Sequence, residues 1–283
     1  MQTHVMLIAD SGGTKTDWCV LDHGNITLEF STQGINPFHQ SRDSINAILS
    51  KQVLPQLGEI VPQELHFYGS GCNSATSVVM QELLSAVLPD TCQVNVCNDL
   101  LAAARALCGT DSGIVCILGT GANSCLYDGI KISRNIPPLG YILGDEGSGA
   151  VLGRHFLNAV YKGFLSSAIR EQLEEHLSMN YQQIISRVYR EPLANRFLAS
   201  LAPFIHSNLH IPVIRGIVVG NFREFFRRNV IHYGSSSLPI GAVGGMAFFF
   251  SDELREAARL EGYSISKILR SPMAGLVEYH SGL

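Results

Sequence analysis

The chain has 283 residues, of which 46% are hydrophobic and 16% charged, and its formal net charge is −4. This length suits two domains, and the apolar content favours large buried cores over disorder. The acidic balance and the lack of a basic run disfavour nucleic acid and anionic membranes as partners. A phosphate ligand stays possible, because backbone N–H groups can hold one.

Membrane targeting is not expected from the sequence. The first residues lack a basic segment before their short apolar run, so no signal peptide is predicted. The longest uncharged stretch, between Arg228 and Asp252, is broken by glycines and a proline and would make a poor membrane helix. Seven cysteines without a Cys-x-x-Cys pair favour reduced, mostly buried thiols. We therefore expect a cytoplasmic protein.

Strand and helix patterns alternate along the first part of the chain. Apolar and β-branched runs predict strands at 5–9, 16–21, 25–32, 65–68 and 93–97. Helical spacing of apolar residues predicts helices at 41–54, 74–88 and 99–107. The opening pattern then recurs, with predicted strands at 113–118, 123–127 and 131–135. A strand, a glycine–threonine turn and a hairpin thus occur twice, which predicts two related domains.

The second half of the chain is more helical. Predicted helices span 150–164, 171–177, 181–190, 193–207, 212–230 and 245–259, and a terminal helix starts at Pro272. Predicted strands span 238–243 and 265–269. We expect an N-terminal domain at 1–110 and a C-terminal domain at 111–283, with the terminal helix as a candidate to pack back on the first domain.

A glycine-rich turn after the first predicted strand is a candidate phosphate site. It reads Asp10-Ser11-Gly12-Gly13-Thr14-Lys15-Thr16. Its two glycines let backbone N–H groups approach a phosphate, and Thr14 and Thr16 can add hydroxyl donors. Asp10, at the strand end, is a candidate ligand of Mg²⁺. An ordinary hairpin turn is the alternative, and the turn is not a Walker A loop, since the opening glycine is missing.

Two later glycine motifs are candidates for the rest of a nucleotide site. Gly119-Thr120-Gly121 echoes the first turn, and two such hairpins facing one another would clamp the β- and γ-phosphates. Gly244-Gly245 lies between a predicted strand and helix, where a nucleoside can lie against the backbone. Each could instead be a tight turn. The third glycine of a dinucleotide fingerprint is absent, so NAD is disfavoured.

The pair Asn98-Asp99 stands between a predicted strand and a predicted helix. Taken locally, Asp99 is favoured as the N-cap of the helix. Its alternative role is general base toward a substrate hydroxyl in phosphoryl transfer. Because no Ser-His-Asp order, nucleophile elbow or His-Glu-x-x-His pattern offers another base, the second role gains weight.

The densest acidic motif is Leu143-Gly144-Asp145-Glu146-Gly147-Ser148-Gly149. Two adjacent carboxylates between glycines can accept hydrogen bonds from sugar hydroxyls, and Ser148 can cap the helix that follows. A plain acidic turn is the alternative.

Together these motifs resemble the family of BadF/BadG/BcrA/BcrD-type ATPases and N-acetylglucosamine kinases, in the sugar kinase, Hsp70 and actin superfamily. The resemblance covers nearly the whole chain, in the family's order. It rests on Asp10–Thr16, Gly34–Phe38, Asn98-Asp99, Gly119–Gly121, Gly140–Ser148, Gly244-Gly245 and Ser271–Leu276. The fold it implies is α/β, with two ribonuclease H-like (actin-like ATPase) domains, mixed five-stranded sheets and an interdomain cleft.

The resemblance also implies the site and the reaction. It implies an ATP-dependent, Mg²⁺-requiring kinase that phosphorylates an amino sugar, with N-acetylglucosamine or glucosamine as the leading substrate. Asp99 would take the hydroxyl proton, and Asp10 would associate with Mg²⁺. The candidate sugar-binding residues are Asn36, Gly71, Asn73, Asn98, Asp145 and Glu146. The candidate nucleotide-binding residues are Ser11, Gly12, Gly13, Thr14, Lys15, Thr16, Gly119, Thr120, Gly121, Gly244 and Gly245.

Two other functions remain open on the sequence. One is an iron–sulfur ATPase activator of a 2-hydroxyacyl-CoA dehydratase or benzoyl-CoA reductase system, for which Cys72 is the one cysteine near a predicted loop. The other is a non-catalytic nucleotide or sugar sensor. The zinc-binding cysteine cluster of ROK sugar kinases is absent from the sequence, which disfavours that branch. The expected partner is a small-molecule sugar; the sequence leaves the choice of sugar and a homodimer open.

Overall fold

The computed structural model describes residues 4–234 and 238–282. Residues 1–3 of the N-terminal segment, for which no signal peptide is predicted, lie outside these ranges, as do 235–237 in the long uncharged stretch and residue 283. The chain divides into two compact units: one runs up to Asp111 and includes the segment from Pro272, and the other is Ser112–Ser271. Within the described ranges, no helix has the length and apolar character needed to cross a membrane.

A mixed five-stranded sheet forms the centre of the first unit. Its strands are β1 (Val5–Ser11), β2 (Lys15–Asp22), β3 (Asn25–Gln33), β4 (Glu64–Gly69) and β5 (Gln93–Asn98). They lie in the order β3-β2-β1-β4-β5. β2 is antiparallel to β1 and β3, whereas β1, β4 and β5 are parallel. The carboxyl ends of β1, β4 and β5 therefore meet at one edge, where open α/β sheets bind ligands.

Helices of the first unit cover this sheet. They are α1 (Arg42–Ile48), α2 (Leu54–Leu57), α3 (Thr76–Val87) and α4 (Asp99–Cys108), and a π-helical turn (Leu49–Val53) joins α1 to α2. The single helix predicted at 41–54 is thus interrupted. Its apolar residues still pack into one core with Trp18 and Phe67 of the sheet. No disulfide joins the seven cysteines, all of which lie among the described residues. Four are buried and three are half-buried, which agrees with the predicted reduced, mostly buried thiols.

The second unit repeats the same sheet plan. Its strands are β6 (Gly113–Leu118), β7 (Ala122–Tyr127), β8 (Ile132–Ile136), β9 (Ile240–Val243) and β10 (Ile265–Leu269). They lie in the order β10-β9-β6-β7-β8. β7 is antiparallel to β6 and β8, and β6, β9 and β10 are parallel. The repeat of a hairpin followed by parallel strands, inferred from the sequence, is confirmed.

More helices cover this second sheet. They are α5 (Gly140–Leu143), α6 (Gly149–Tyr161), α7 (Ser167–Leu177), α8 (Tyr181–Tyr189), α9 (Ala194–Ala199), α10 (Ala202–Ser207), α11 (Pro212–Arg228), α12 (Gly245–Phe249) and α13 (Ser251–Leu260). A 3₁₀ turn (Val230–Tyr233) follows α11. The core is rich in phenylalanine and lies between the sheet and the helices α6, α11 and α13. The short helix α5 was not predicted.

Two predicted helices of this unit are each broken in two. The segment 193–207 forms α9 and α10, because Pro203 in the first turn of α10 lacks the N–H that a continuous helix needs. The segment 245–259 forms α12 and α13, which are separated at Phe250 (φ −108°, ψ 35°). The Phe250 ring is buried in the core, so the break accompanies its insertion.

The last helix, α14 (Met273–Ser281), belongs to the first unit. Pro272 occupies its N-cap position, and the helix packs against α4 and β1. A side chain at Gly275 would overlap the backbone of Ala106 in α4, so these helices approach closely. We propose domain boundaries that follow the two units and place residues 272–282 in the first.

Candidate active site

The turn between β1 and β2, called the first glycine turn (Gly12–Lys15), is exposed. The N–H of Gly12 donates to the carbonyl of Lys15 (3.0 Å) and closes the turn. Gly34 passes beside it and donates its N–H to Thr14 O (3.0 Å), and a Cβ on Gly34 would lie 2.5 Å from Gly12 O. Gly34 is therefore needed for this close approach, a role that sequence reasoning missed.

The hydroxyls of Ser11 and Thr16 contact each other and the chain that follows β3. Both residues are fully buried, and their hydroxyl oxygens lie 2.6 Å apart. The Ile35 N–H donates to both oxygens, at 3.0 Å and 3.2 Å. This pair therefore holds the chain that leads from β3 to Asn36, and the role of the Thr16 hydroxyl as a phosphate donor stays a prediction.

Asp10 lies at the end of β1, beside the turn. Burial raises the pKa of its carboxyl to about 7, and the negative charges of Asp99 and Asp17 add to the rise, while Lys15 opposes it. Lys15 is itself bound to Asp17, with Nζ 2.8 Å from Oδ1. A bound cation stabilises the charged form of a carboxylate whose pKa has been raised by burial and by neighbouring negative charges. Asp10 is therefore suited to act as a metal ligand.

Asn98, and not Asp99, caps α4. The Asn98 side-chain oxygen accepts a hydrogen bond from the N–H of Leu101 (2.8 Å). Asp99 is the first residue of the helix, so the N-cap role that the local sequence favoured for it is wrong. Burial raises its pKa, although the N–H groups of Leu100 and Asp99 donate to the carboxylate and oppose the rise.

Two further candidate sugar ligands of the first unit are in contact. A Cβ on Gly71, which has a φ of +79°, would overlap Oδ1 of Asn36. The Asn36 amide also donates to the Ser70 hydroxyl (3.4 Å) and accepts from the Phe38 N–H (3.0 Å). Asn73 is engaged elsewhere: its Oδ1 accepts from the N–H groups that open α3, at 2.9 Å and 3.1 Å.

In the second unit, the second glycine turn (Gly119–Gly121) is bonded to the start of α6. The N–H groups of Gly149 and Ala150 donate to the carbonyls of Gly119 (2.8 Å) and Thr120 (3.2 Å). Ser148 caps α6 by accepting from the Val151 N–H (3.1 Å), as predicted. The turn and the acidic motif are therefore held together through backbone bonds.

Asp145 lies against this second turn. A Cβ on Gly121 would lie 3.1 Å from its Oδ2, and the N–H groups of Ala122 and Gly140 donate to its carboxylate. Burial, together with the adjacent Glu146, raises the pKa of Asp145 to about 6 against these bonds. Its backbone is left-handed (φ 57°), a conformation that Asp tolerates better than most residues.

Glu146 contacts residues just after α11 and in its last turn. Its carboxylate lies 3.4 Å from the amide nitrogen of Asn229 and 3.7 Å from Nε of Arg228. An acceptor sugar that binds Glu146 would have to share the carboxylate with these two groups.

A cavity of about 700 Å³ lies beside the second turn. Its lining residues are Gly119, Thr120, Gly149, Ala199, Ala202, Pro203, His206, Ser207, Gly245, Met246, Phe249 and Phe250. A Cβ on Gly244, which has a φ of +120°, would overlap Leu118 O. The structure thus brings both predicted glycine motifs of this unit to one mostly apolar cavity. The contributions of α9 and α10 were missed, since nothing in their sequence marks them as ligand-binding.

Comparisons with known proteins complete the description. A solved structure from Porphyromonas gingivalis, named "putative N-acetylglucosamine kinase", is 44% identical over 98% of this chain and 99% of its own, with a TM-score of 0.95. The chain belongs to the N-acetylglucosamine kinase-like family of sugar kinases. The family resemblance stated on the sequence motifs is therefore confirmed. No family model matches the chain.

Two more distant relatives agree. The N-acetylmuramic acid/N-acetylglucosamine kinase of Clostridium acetobutylicum is 26% identical in a 213-residue alignment, which covers 70% of this chain and 68% of that protein. A structure from Chromobacterium violaceum is 17% identical, covers 98% of both chains and has a TM-score of 0.77, which shows the fold alone. The predicted α/β class with two mixed five-stranded sheets is confirmed.

Proposed function

We propose that this protein transfers the γ-phosphoryl group of ATP to a hydroxyl of an amino sugar, with N-acetylglucosamine as the leading acceptor and glucosamine as the second. The observation that carries the proposal is the position of Asp99. Its carboxylate stands at the carboxyl end of β5, and Asn98 performs the capping in its place. The names of the relatives support the choice of acceptor.

Asp99 takes the proton of the attacking sugar hydroxyl in this proposal. A general base works best when its pKa approaches the working pH, and burial raises the pKa of Asp99 in that direction. Asn36, Gly71 and Asp145 hold the sugar. Asn73 and Asn98 act through the backbone that they bond, and Glu146 acts together with Arg228.

The nucleoside of ATP occupies the cavity beside Gly244 and Gly245, and the second glycine turn, which lines that cavity, meets its phosphates. The first glycine turn is the phosphate-binding segment that we propose for the first unit. The missing Cβ atoms fit this assignment, since they leave backbone within reach of a ligand. Asp10 would hold Mg²⁺, since carboxylate oxygens are ligands that this cation accepts. A bound Mg²⁺ would supply positive charge to the phosphates during transfer.

ADP release with a panel of acceptors tests the proposal. Purified protein receives ATP and Mg²⁺ with N-acetylglucosamine, glucosamine, N-acetylmuramic acid, glucose or no sugar. We expect release that depends on an amino sugar and is fastest with N-acetylglucosamine, and mass spectrometry should find the sugar phosphate. Release that is equal without sugar, or absent with every acceptor, contradicts a sugar kinase.

A further inference from the structure

The segment that carries Asp145 has an unusual backbone. Leu139 and Asp145 are left-handed, with φ of 65° and 57°, and a Cβ on Gly144 would overlap the carbonyl of Pro138. Non-glycine residues keep such conformations only where surrounding contacts fix them. The contacts that fix this segment therefore also fix the position of the Asp145 carboxylate.

Asn221 of α11 supplies two of these contacts. Its side chain is almost fully buried, at 3% exposure. Its Oδ1 accepts a hydrogen bond from the N–H of Gly147 (3.0 Å), and its Nδ2 donates to the carbonyl of Ser148 (3.1 Å). One amide thus holds both ends of the Gly147–Ser148 dipeptide. Because the amide is buried, water cannot replace either bond in its absence.

The dipeptide held by Asn221 is joined to the candidate sugar ligand. The N–H of Ser148 donates to the carbonyl of Asp145 (3.0 Å). Gly147 packs closely on the core, since a Cβ there would lie 3.0 Å from Leu118 and from Phe225. A shift of Ser148 would therefore pass directly to Asp145.

We propose that Asn221 is a positioning residue for the acceptor sugar: by holding Gly147 and Ser148 it sets where the Asp145 carboxylate meets the sugar. The inference rests on the proposed function, since that function assigns Asp145 to the sugar. Asn221 itself contacts the segment and not the reacting atoms. Its side chain could serve stability alone, and that alternative predicts a different kinetic result.

Steady-state kinetics separate the two roles. Asn221→Leu removes both hydrogen bonds at similar volume, and we expect the KM for the sugar to rise about tenfold or more, with a smaller change in the KM for ATP. Asn221→Asp keeps the acceptor for Gly147 and loses the donor to Ser148, so its sugar KM should fall between those of wild type and Asn221→Leu. Unchanged sugar KM in a folded Asn221→Leu protein overturns the proposal.

A control removes another asparagine side chain that bonds the backbone elsewhere in the second unit. Asn180 caps α8 by accepting from the Gln183 N–H (3.0 Å), and it is exposed. Asn180→Ala should lower the melting temperature and leave both KM values at the wild-type level. If this variant raises the sugar KM as much as Asn221→Leu does, the effect reflects stability and the proposal is wrong.

Hydrogen–deuterium exchange provides a readout that does not need activity. In Asn221→Leu, or in Asn221→Asp if the first variant does not fold, peptides covering residues 144–148 should exchange faster, while those from the middle of α6 stay at the wild-type rate. If the wild type lacks sugar-dependent turnover, the proposed function is rejected. Faster exchange at 144–148 in the variant would then still support the contact made by Asn221. Unchanged exchange at 144–148 would reject the contact itself.

Discussion

The two units share a sheet plan but obtain their carboxylates differently. In the first unit, Asp10 and Asp99 stand at the ends of β1 and β5, so the sheet itself delivers both acids. In the second unit, β6 ends in apolar residues, and the acid Asp145 reaches the glycine turn from a separate segment before α6. One strand plan can therefore be equipped for different tasks without altering its strand order.

The difference extends to what surrounds each glycine turn. Beside the first turn, burial and then the charges of Asp99 and Asp17 raise the pKa of Asp10, whereas an apolar cavity of about 700 Å³ adjoins the second turn. This contrast suits a first unit that carries the proton transfer and a second unit that holds the nucleoside. Asp99→Ala and Gly244→Ala each test one side of that division, and His280→Gln tests the stability of the first unit.

The largest effect is expected from Asp99→Ala. Loss of a general base should lower kcat by about 10²-fold or more, while the KM for ATP stays near the wild-type value. The matched control is Asp43→Ala, because Asp43 is also an acid in the first turn of a helix, α1, and is exposed. If the Asp99 variant phosphorylates the sugar at the wild-type rate, Asp99 is not the general base and the first unit does not carry the proton transfer.

A second test concerns His280, which lies on α14 of the first unit. Burial, with the nearby His66 and Arg105, lowers the pKa of His280 to about 3. The unfolded chain binds this proton near the ordinary value of 6.5, so from pH 6.5 downward the unfolded state holds more protons and folding weakens. Between pH 7 and pH 5 the contribution of His280 to the free energy of unfolding should fall by about 2 kcal/mol.

The measurement compares wild type with His280→Gln by denaturant unfolding at both pH values. The comparison is needed because Asp10 changes the free energy of unfolding in the opposite direction to His280. The pKa of Asp10 is raised in the folded protein, so this residue favours folding as the pH falls. Trp18 is the single tryptophan of the chain and is buried in the first unit, so its fluorescence reports this unit. An equal loss of stability in both proteins would show that His280 is not held neutral.

The smallest effect is expected from Gly244→Ala in the second unit. The added Cβ would overlap Leu118 O, and its φ of +120° disfavours any side chain, so the cavity edge must shift. We expect the KM for ATP to rise about tenfold with little change in kcat. Gly216→Ala is the control: it lies in α11 with open space around it, and it should stabilise the helix by about 0.5–1 kcal/mol. If the two variants have the same KM for ATP, Gly244 does not lie at the nucleotide site.

Strands were the most predictable part of this fold. Every strand of the described residues lies within two residues of its predicted bounds at each end, since apolar runs closed by glycine turns mark them clearly. Helix breaks were harder: the break at Pro203 had a visible signal, but the one at Phe250 depends on a ring inserted into a distant core. The helix α5 has four residues and no helical spacing to detect.

The candidate site also has residues that the local sequence pattern predicts and residues that it does not. Residues next to a glycine turn, such as Asp10, could be proposed from local pattern. The capping by Asn98 could not be separated from that by Asp99, because either residue type caps helices and only the backbone geometry decides. Asn221 and the cavity residues of α10 lie far along the chain from the motifs they contact, so only the folded chain joins them.

The position of α14 sets an order for folding during synthesis. The helix packs on α4 and β1, yet its residues leave the ribosome after all of Ser112–Ser271 has been made. The second unit is continuous in sequence and can close as soon as it emerges. The first unit must wait with an uncovered helix face, so the half of the protein that is synthesised first is completed last.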